Sequence, residues 1–258
     1  MKEKFKSLRR FNLIMAFLHL VQGLVIWIIS SDLLVPVTAS FLKFDALTQK
    51  LFPKMETLFE LRLGYLIAVF LFMSALAHLM ISLPKINEWY NANLVKGINP
   101  ARWIEYSFSS SVMIIVISLL VGISDIATLI GFFFLNASMI LFGWMMELHN
   151  GSIRLTTGQK KVDWTSFIFG CIAGIGPWVG IAIYLASPGS ESNPPTFVYW
   201  IFVSIFVFFN IFAINQVLQY KKVGKWSSYI YGEWVYIVLS LVAKSLLAWQ
   251  VFGGTLRP

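Results

Sequence analysis

Charge is what this chain has least of: 12% of its 258 residues are charged while 58% are hydrophobic, against roughly one-quarter charged in soluble domains. That excludes an ordinary soluble globular domain, and 23 Phe with 10 Trp exclude intrinsic disorder. Cysteine is nearly absent. Cys171 alone forms no internal disulfide and reports nothing about redox compartment. With three histidines, no His, Cys and carboxylate set stands at metal-ligand spacing, so no metal is expected. Mean hydropathy of +0.75 instead describes a polypeptide whose solvent is mostly lipid. At about 20 apolar residues per spanning helix, such a length accommodates roughly seven or eight helices in one membrane domain over residues 1–258.

Apolar runs between polar breaks predict seven spans: Phe11–Ser30, Thr57–Leu83, Ala101–Ile123, Ile126–His149, Trp164–Ala186, Thr196–Gln219 and Ser228–Phe252. The breaks carry turn residues: Pro84, Asn99-Pro100, Asn150-Gly151, Ser187-Pro188-Gly189, Asn193-Pro194-Pro195 and Gly224. The first run follows Lys2, Lys4, Lys6, Arg9 and Arg10 as in a signal peptide, but it is too long and lacks a small-residue cleavage site. It is read as a retained first helix.

The net charge of +8 acquires meaning from its distribution. The N-terminal five share their side with Lys85, Lys96, Arg102, Arg154, Lys160, Lys161, Lys221, Lys222 and Lys225, fourteen of the 20 cations. Lys43, Lys50, Lys54, Arg62 and Arg257 fall on the other side, and Lys244 lies within a helix. The bias predicts a cytoplasmic N-terminus and an extracellular C-terminus, with lipid rather than nucleic acid as the surroundings. The first external loop, Ser31–Glu56, is unusually long, and it includes apolar stretches Leu33–Val37 and Phe41–Phe44. Two readings stand: a β-hairpin capping the bundle or meeting a second subunit, and a loosely ordered polar loop. Glycines 170, 174, 176 and 180 on the fifth span permit close helix approach, either within one bundle or in a dimer.

Lys244 is the most informative residue. A charged lysine deep in a span costs roughly 2.5–3.5 kcal/mol on insertion scales, and such groups generally face the bundle interior and mark function. A buried amine is also a Schiff-base nucleophile. The alternative is an ion pair that only links helices. Of the few carboxylates, Glu60 and Asp125 fall near outer helix ends and Glu147 and Glu233 near inner ones. Glu233 is roughly 16 Å from Lys244 along the helix, beyond its reach. Glu105 begins the third span from the cytoplasmic side, the direction in which the Lys244 side chain leans. It is therefore the counter-ion candidate, its other reading being an early-helix acid favoured by the helix dipole. Ser74 and His78, His19 and Gln22, and Ser240 one turn before Lys244 are spaced to share helix faces, as a small polar chamber would require. Each alone is also compatible with helix packing. An ordinary histidine titrates near neutral pH, which suits a proton relay.

Seven spans, an interior lysine on the last and a glutamate early on the third resemble a retinal protein. Arg102-Trp-Ile-Glu-Tyr-Ser107 with Ser109-Ser-Ser111, and Leu239-Ser-Leu-Val-Ala-Lys-Ser245, are similar to signatures of heliorhodopsins, and the resemblance extends along the whole chain. It implies an all-α seven-helix rhodopsin-like bundle with an inverted topology. It also implies all-trans-retinal on Lys244 as a protonated Schiff base, with Glu105 as counter-ion and Ser240 hydrogen-bonded nearby. Around the chromophore it places Tyr106, Ser111, Met139, Pro177, Trp178, Tyr184 and Gln216. To the polar, proton-accepting cavity it assigns His19, His78, Ser74, Gln22, Asn99 and Tyr106, with Glu147 and Asn136 at polar positions of the fourth span. A homodimer is implied as well.

Outward pumps of the wider microbial family carry a second acid eleven residues beyond the counter-ion and another one turn before the lysine. Here those positions are Val116 and Ser240. The expectation is a light-sensing photoreceptor that keeps its proton, moves no net ion and signals through a slow conformational change to a partner the sequence does not identify. A light-driven proton pump or light-gated channel, and a seven-helix transporter without photoactivity, are the alternatives. No second catalytic group is evident beside the amine, so no enzyme is expected.

Overall fold

The computed structural model describes residues 2–157, 161–186 and 194–256. It orders them as α1 (Lys2–Ile29), β1 (Leu34–Asp45), β2 (Lys50–Arg62), α2 (Leu63–Met80), α3 (Pro84–Val95), α4 (Pro100–Leu120), α5 (Ile126–Thr157), α6 (Thr165–Ala186), α7 (Thr196–Lys221) and α8 (Tyr229–Val251). Among the described residues, seven helices are long and apolar enough to cross a membrane, all but α3. They close into a ring: α1 on α2, α2 on α4, α4 on α5, α5 on α6, α7 on α8, and α8 back on α1. The α6 to α7 contact is made by Trp178 against Phe202, Phe206 and Phe209. Because lipid is as apolar as leucine, helix burial here is won by shape and by internal pairing of polar groups.

The Ser31–Glu56 connection is an ordered β-hairpin. β1 and β2 pair antiparallel from Leu34 opposite Arg62 to Asp45 opposite Lys50, with a bulge at Val37/Thr38. At the turn the Asp45 carboxylate accepts from Leu47 N–H (2.9 Å) and the Thr48 hydroxyl (2.8 Å). The base is held to the bundle where Thr38 N–H donates to Ser124 C=O at 2.9 Å. β2 runs to Arg62, so Thr57–Arg62, expected as the start of the second span, is strand. Short apolar runs rich in β-branched and aromatic residues suit both states, and pairing with Val35–Thr38 decides. Glu60 therefore belongs to the hairpin, not to a helix end.

Two other boundaries differ. Pro84, expected as a break, opens helix α3, where a missing N–H costs nothing in the first turn. Asn150-Gly151, expected as a break, lies inside α5; the Asn150 amide donates to Met146 C=O and to Asp163 C=O, both at 3.0 Å. The predicted breaks Ser187-Pro188-Gly189 and Asn193, and the cations Lys160 and Arg257, lie outside the described residues.

Burial is divided along the bundle. Seven alternating spans put the hairpin at the end opposite the N-terminus, and the large apolar core lies toward the hairpin: Ile26, Ile67, Phe70, Ile117, Ile205 and Val251 are among its members. Buried polar side chains gather in the N-terminal half: Asn12, His19, Ser74, Asn99, Arg102, Glu147, Glu233 and Lys244. The glycine row of α6 is used inside this bundle. A Cβ on Gly170 would stand 3.2 Å from the Met139 carbonyl oxygen of α5, backbone that does not give way. Gly170→Leu should therefore force α5 from α6 and cost about 1–3 kcal/mol. A thermal unfolding midpoint in detergent well below wild type checks this; an unchanged midpoint contradicts it.

Candidate functional site

Lys244 sits on the inner face of α8 and is 3% exposed. Its side chain runs back toward the α8 N-terminus, where Nζ donates to Glu105 Oε1 at 2.8 Å and to Ser240 Oγ, one turn away, at 3.0 Å. Glu105 is presented by α4, whose start is set by Pro100 in the first turn and by Asn99, whose side-chain oxygen caps Arg102 N–H at 3.1 Å. The same carboxylate oxygen accepts from Ser74 Oγ of α2 at 2.6 Å. Two opposite charges shielded from water thus join α8 to α4, and hydroxyls on α8 and α2 complete their hydrogen bonding. The aromatic face of Tyr106 lies 5.2 Å from the ammonium.

On one side of this pair is an apolar cavity of about 840 Å³, counting the open space at its mouth. Lys244 and Ser240 stand at its polar spot, and Trp103, Tyr106, Phe209, Phe212 and Tyr236 supply aromatic walls. Met139 and Gln216 line it too. The remaining residues expected near the chromophore lie elsewhere. Trp178 stands behind the wall, edge-on to Phe209 with ring centres 5.2 Å apart, and Pro177 is its neighbour on α6. Tyr184 is on the outer surface, 48% exposed. Ser111 faces α5, donating to Ser107 C=O at 2.6 Å and accepting from the Asn136 amide at 3.1 Å. Sequence reasoning missed Trp103, Met113, Phe209, Phe212 and Tyr236. The signal was available in helical spacing: Trp103, Tyr106 and Met113 share a face of α4, and Tyr236, Ser240 and Lys244 share one of α8.

On the other side lies a polar cavity of about 380 Å³, again counting open space, lined by Asn12, His78, Asn99, Arg102, Glu105 and Glu233 among others. His78 Nδ1 and Asn12 Oδ1 are 2.7 Å apart, and the His19 ring stacks on His78 with centres 5.7 Å apart. Both ring nitrogens of His19 are buried without a hydrogen-bond partner among the described residues. Gln22 is not in this chamber; its side chain accepts from Trp249 Nε1 at 3.1 Å on the outer side of α1.

Beyond the chamber is a charged cluster that sequence reasoning did not foresee. Arg102, counted above among the cytoplasmic loop cations, is 7% exposed and lies inside α4. Its guanidinium donates to Glu147 Oε1 of α5 at 2.6 Å and to Glu233 Oε1 of α8. It also lies over the rings of Trp103 and Tyr236, 4.4 and 4.0 Å from their centres. Glu147 accepts further from Tyr229 OH (2.9 Å), Asn99 N–H (2.9 Å) and Trp103 Nε1 (2.7 Å). Glu233 accepts from the Asn99 amide at 2.6 Å. A rule that cations at span ends face water failed here because Glu147 and Glu233 from two other helices meet Arg102 inside the bundle. Arg102→Gln should leave two buried carboxylates without their cation and cost about 3–5 kcal/mol. The thermal midpoint should fall and recover in part when Glu233→Gln is added; equal midpoints for wild type and Arg102→Gln would contradict the assignment.

A search of curated proteins finds no match. A family model described as Heliorhodopsin matches residues 8–256. That family implies a rhodopsin-type light-sensing membrane protein with a retinal chromophore on a lysine. The residues fit such a group: the buried amine of Lys244 opens onto an aromatic, apolar cavity, with a carboxylate 2.8 Å away to balance positive charge. The family match over almost the whole chain and this site lead to one conclusion: the chain belongs to the heliorhodopsin family.

Proposed function

We propose that this protein is a photoreceptor in which Lys244 carries all-trans-retinal as a protonated Schiff base, Glu105 is its counter-ion, and no net ion crosses the membrane. The observation that carries the reading is the buried amine, 2.8 Å from Glu105 and opening onto an apolar cavity. Bound retinal would supply visible absorption and light-driven isomerisation. The chain's own residues do the rest. Glu105 holds the proton at the Lys244 nitrogen by charge, Ser240 and Ser74 orient the two partners, and aromatic walls keep water from the polyene side.

What supports retention of the proton is the asymmetry of the interior. Among the described residues beyond Asn136 toward the hairpin, the buried side chains are apolar apart from Thr38, Ser118 and the hydroxyl of Ser30, and Val116 is fully buried in that core. The polar cavity opens the other way, toward the N-terminal end. Excluding the buried Arg102 leaves thirteen cations on the N-terminal side against five, which supports a cytoplasmic N-terminus in the cell membrane. The hairpin's exposed Phe41, Leu42, Phe44 and Leu51 suit contact with a second copy. Output is then a slow change in helix packing read by a signalling partner.

The purified protein with added all-trans-retinal should show a visible band that is absent in Lys244→Ala and red-shifted in Glu105→Gln. A colourless wild type would overturn the assignment and favour a transporter or scaffold with a structural ion pair. Vesicles carrying the pigmented protein should show no protonophore-sensitive pH change on illumination; a sustained change would make it a pump or channel.

A further inference from the structure

Resting on the reading of Lys244 as the retinal lysine, we infer that Glu233 is the group that takes up the proton leaving that nitrogen. Three observations converge. Glu233 and Glu105 line one cavity, so the proton reaches Glu233 without crossing the apolar core. The charged cluster beyond the Lys244 pair contains two carboxylates and a single guanidinium, a net charge of −1 that an added proton would neutralise. Like charges sharing one site disfavour the doubly ionised form. Finally, the two carboxylates differ in how fully they are bound. Glu147 accepts four hydrogen bonds, two on each oxygen, and does not line the cavity. Glu233 accepts one bond on each oxygen, from Arg102 and from Asn99, which leaves acceptor capacity on a side chain that lines the cavity.

The charged and titratable groups around Glu233 are Arg102, Glu105 and Tyr106 of α4, Glu147 of α5, His78 of α2, Tyr90 of α3 and Tyr229 and Tyr236 of α8. The step conserves charge. An N–H bond breaks at Lys244 and an O–H bond forms on Glu233. The Lys244 and Glu105 pair goes from neutral to −1, and the Arg102 cluster goes from −1 to neutral. Glu105 stays ionised, with the Ser74 hydroxyl still donating to it. The Arg102 tie between α4 and α8 is weakened in the same step, because a neutral acid holds a guanidinium less strongly than a carboxylate does. Deprotonation at Lys244 is thereby converted into loosening at the N-terminal ends of α4 and α8.

Light-minus-dark infrared difference spectroscopy of the retinal-loaded wild type tests this. A new protonated-carboxyl C=O band should rise as the Lys244 nitrogen loses its proton, vanish in Glu233→Gln, and persist in Glu147→Gln. In Glu233→Asp, the more conservative variant should Glu233→Gln not fold, the band should move in frequency. Infrared titration of the retinal-free protein should likewise show a carboxyl band that Glu233→Gln removes and Glu147→Gln keeps. A light-induced band that survives Glu233→Gln, is unshifted in Glu233→Asp or is lost only in Glu147→Gln overturns the inference. So does a wild type that shows only histidine ring bands, which would place the proton on His78. These outcomes are distinct from failure of the retinal reading, in which the wild type has no visible band at all.

Discussion

The guanidinium of Arg102 ties three helices together, and the position of everything else at the N-terminal end depends on it. One cation buried in lipid-facing protein is tolerable only with anions in hydrogen-bonding contact, and Glu147 from α5 and Glu233 from α8 meet that demand. The tie sets the rotation and register of α4 against α8. Glu105 lies three residues beyond Arg102 on α4, and Lys244 lies eleven beyond Glu233 on α8, so one register brings both pairs together. A slide of a single turn, roughly 5.4 Å, would break both at once.

Between these two ionic ties lies the polar cavity, and beyond the second lies the apolar one. The Lys244 and Glu105 pair is thus at a boundary: aromatic walls on one side, amides, a histidine and carboxylates on the other. That arrangement suits a group that must hold a proton on a conjugated, apolar ligand and give it up in one direction. In the hairpin half the buried positions are mostly apolar, with isoleucine, leucine and valine prominent.

The spans were legible because their apolar runs exceed what a soluble fold needs, and Lys244 was legible because an isolated ion in such a run is costly. Glu105 followed from the direction in which a lysine side chain leans. Counting cations at span ends put Arg102 at the water-facing side, and the family resemblance put Gln22 and Tyr184 into cavities they do not enter. Helical spacing shows that two residues share a face of one helix, but not which neighbouring helix that face meets. Thr57–Arg62 illustrates the other limit, since a short run with Leu58, Phe59 and Leu61 fits strand and helix alike until a partner strand is known.

By itself, then, the sequence determined the lipid environment, the number of spans and the one cation set deep within a span, each through the cost of placing charge or backbone among apolar groups. Tertiary structure decided that Glu105 stands 2.8 Å from Lys244, that Arg102 is buried between two carboxylates, and that one cavity is lined by Lys244 and the other by Glu105, with Tyr106 lining both. Those facts depend on helix rotation and depth, which are set jointly by packing against neighbours and by pairing of polar groups across helices.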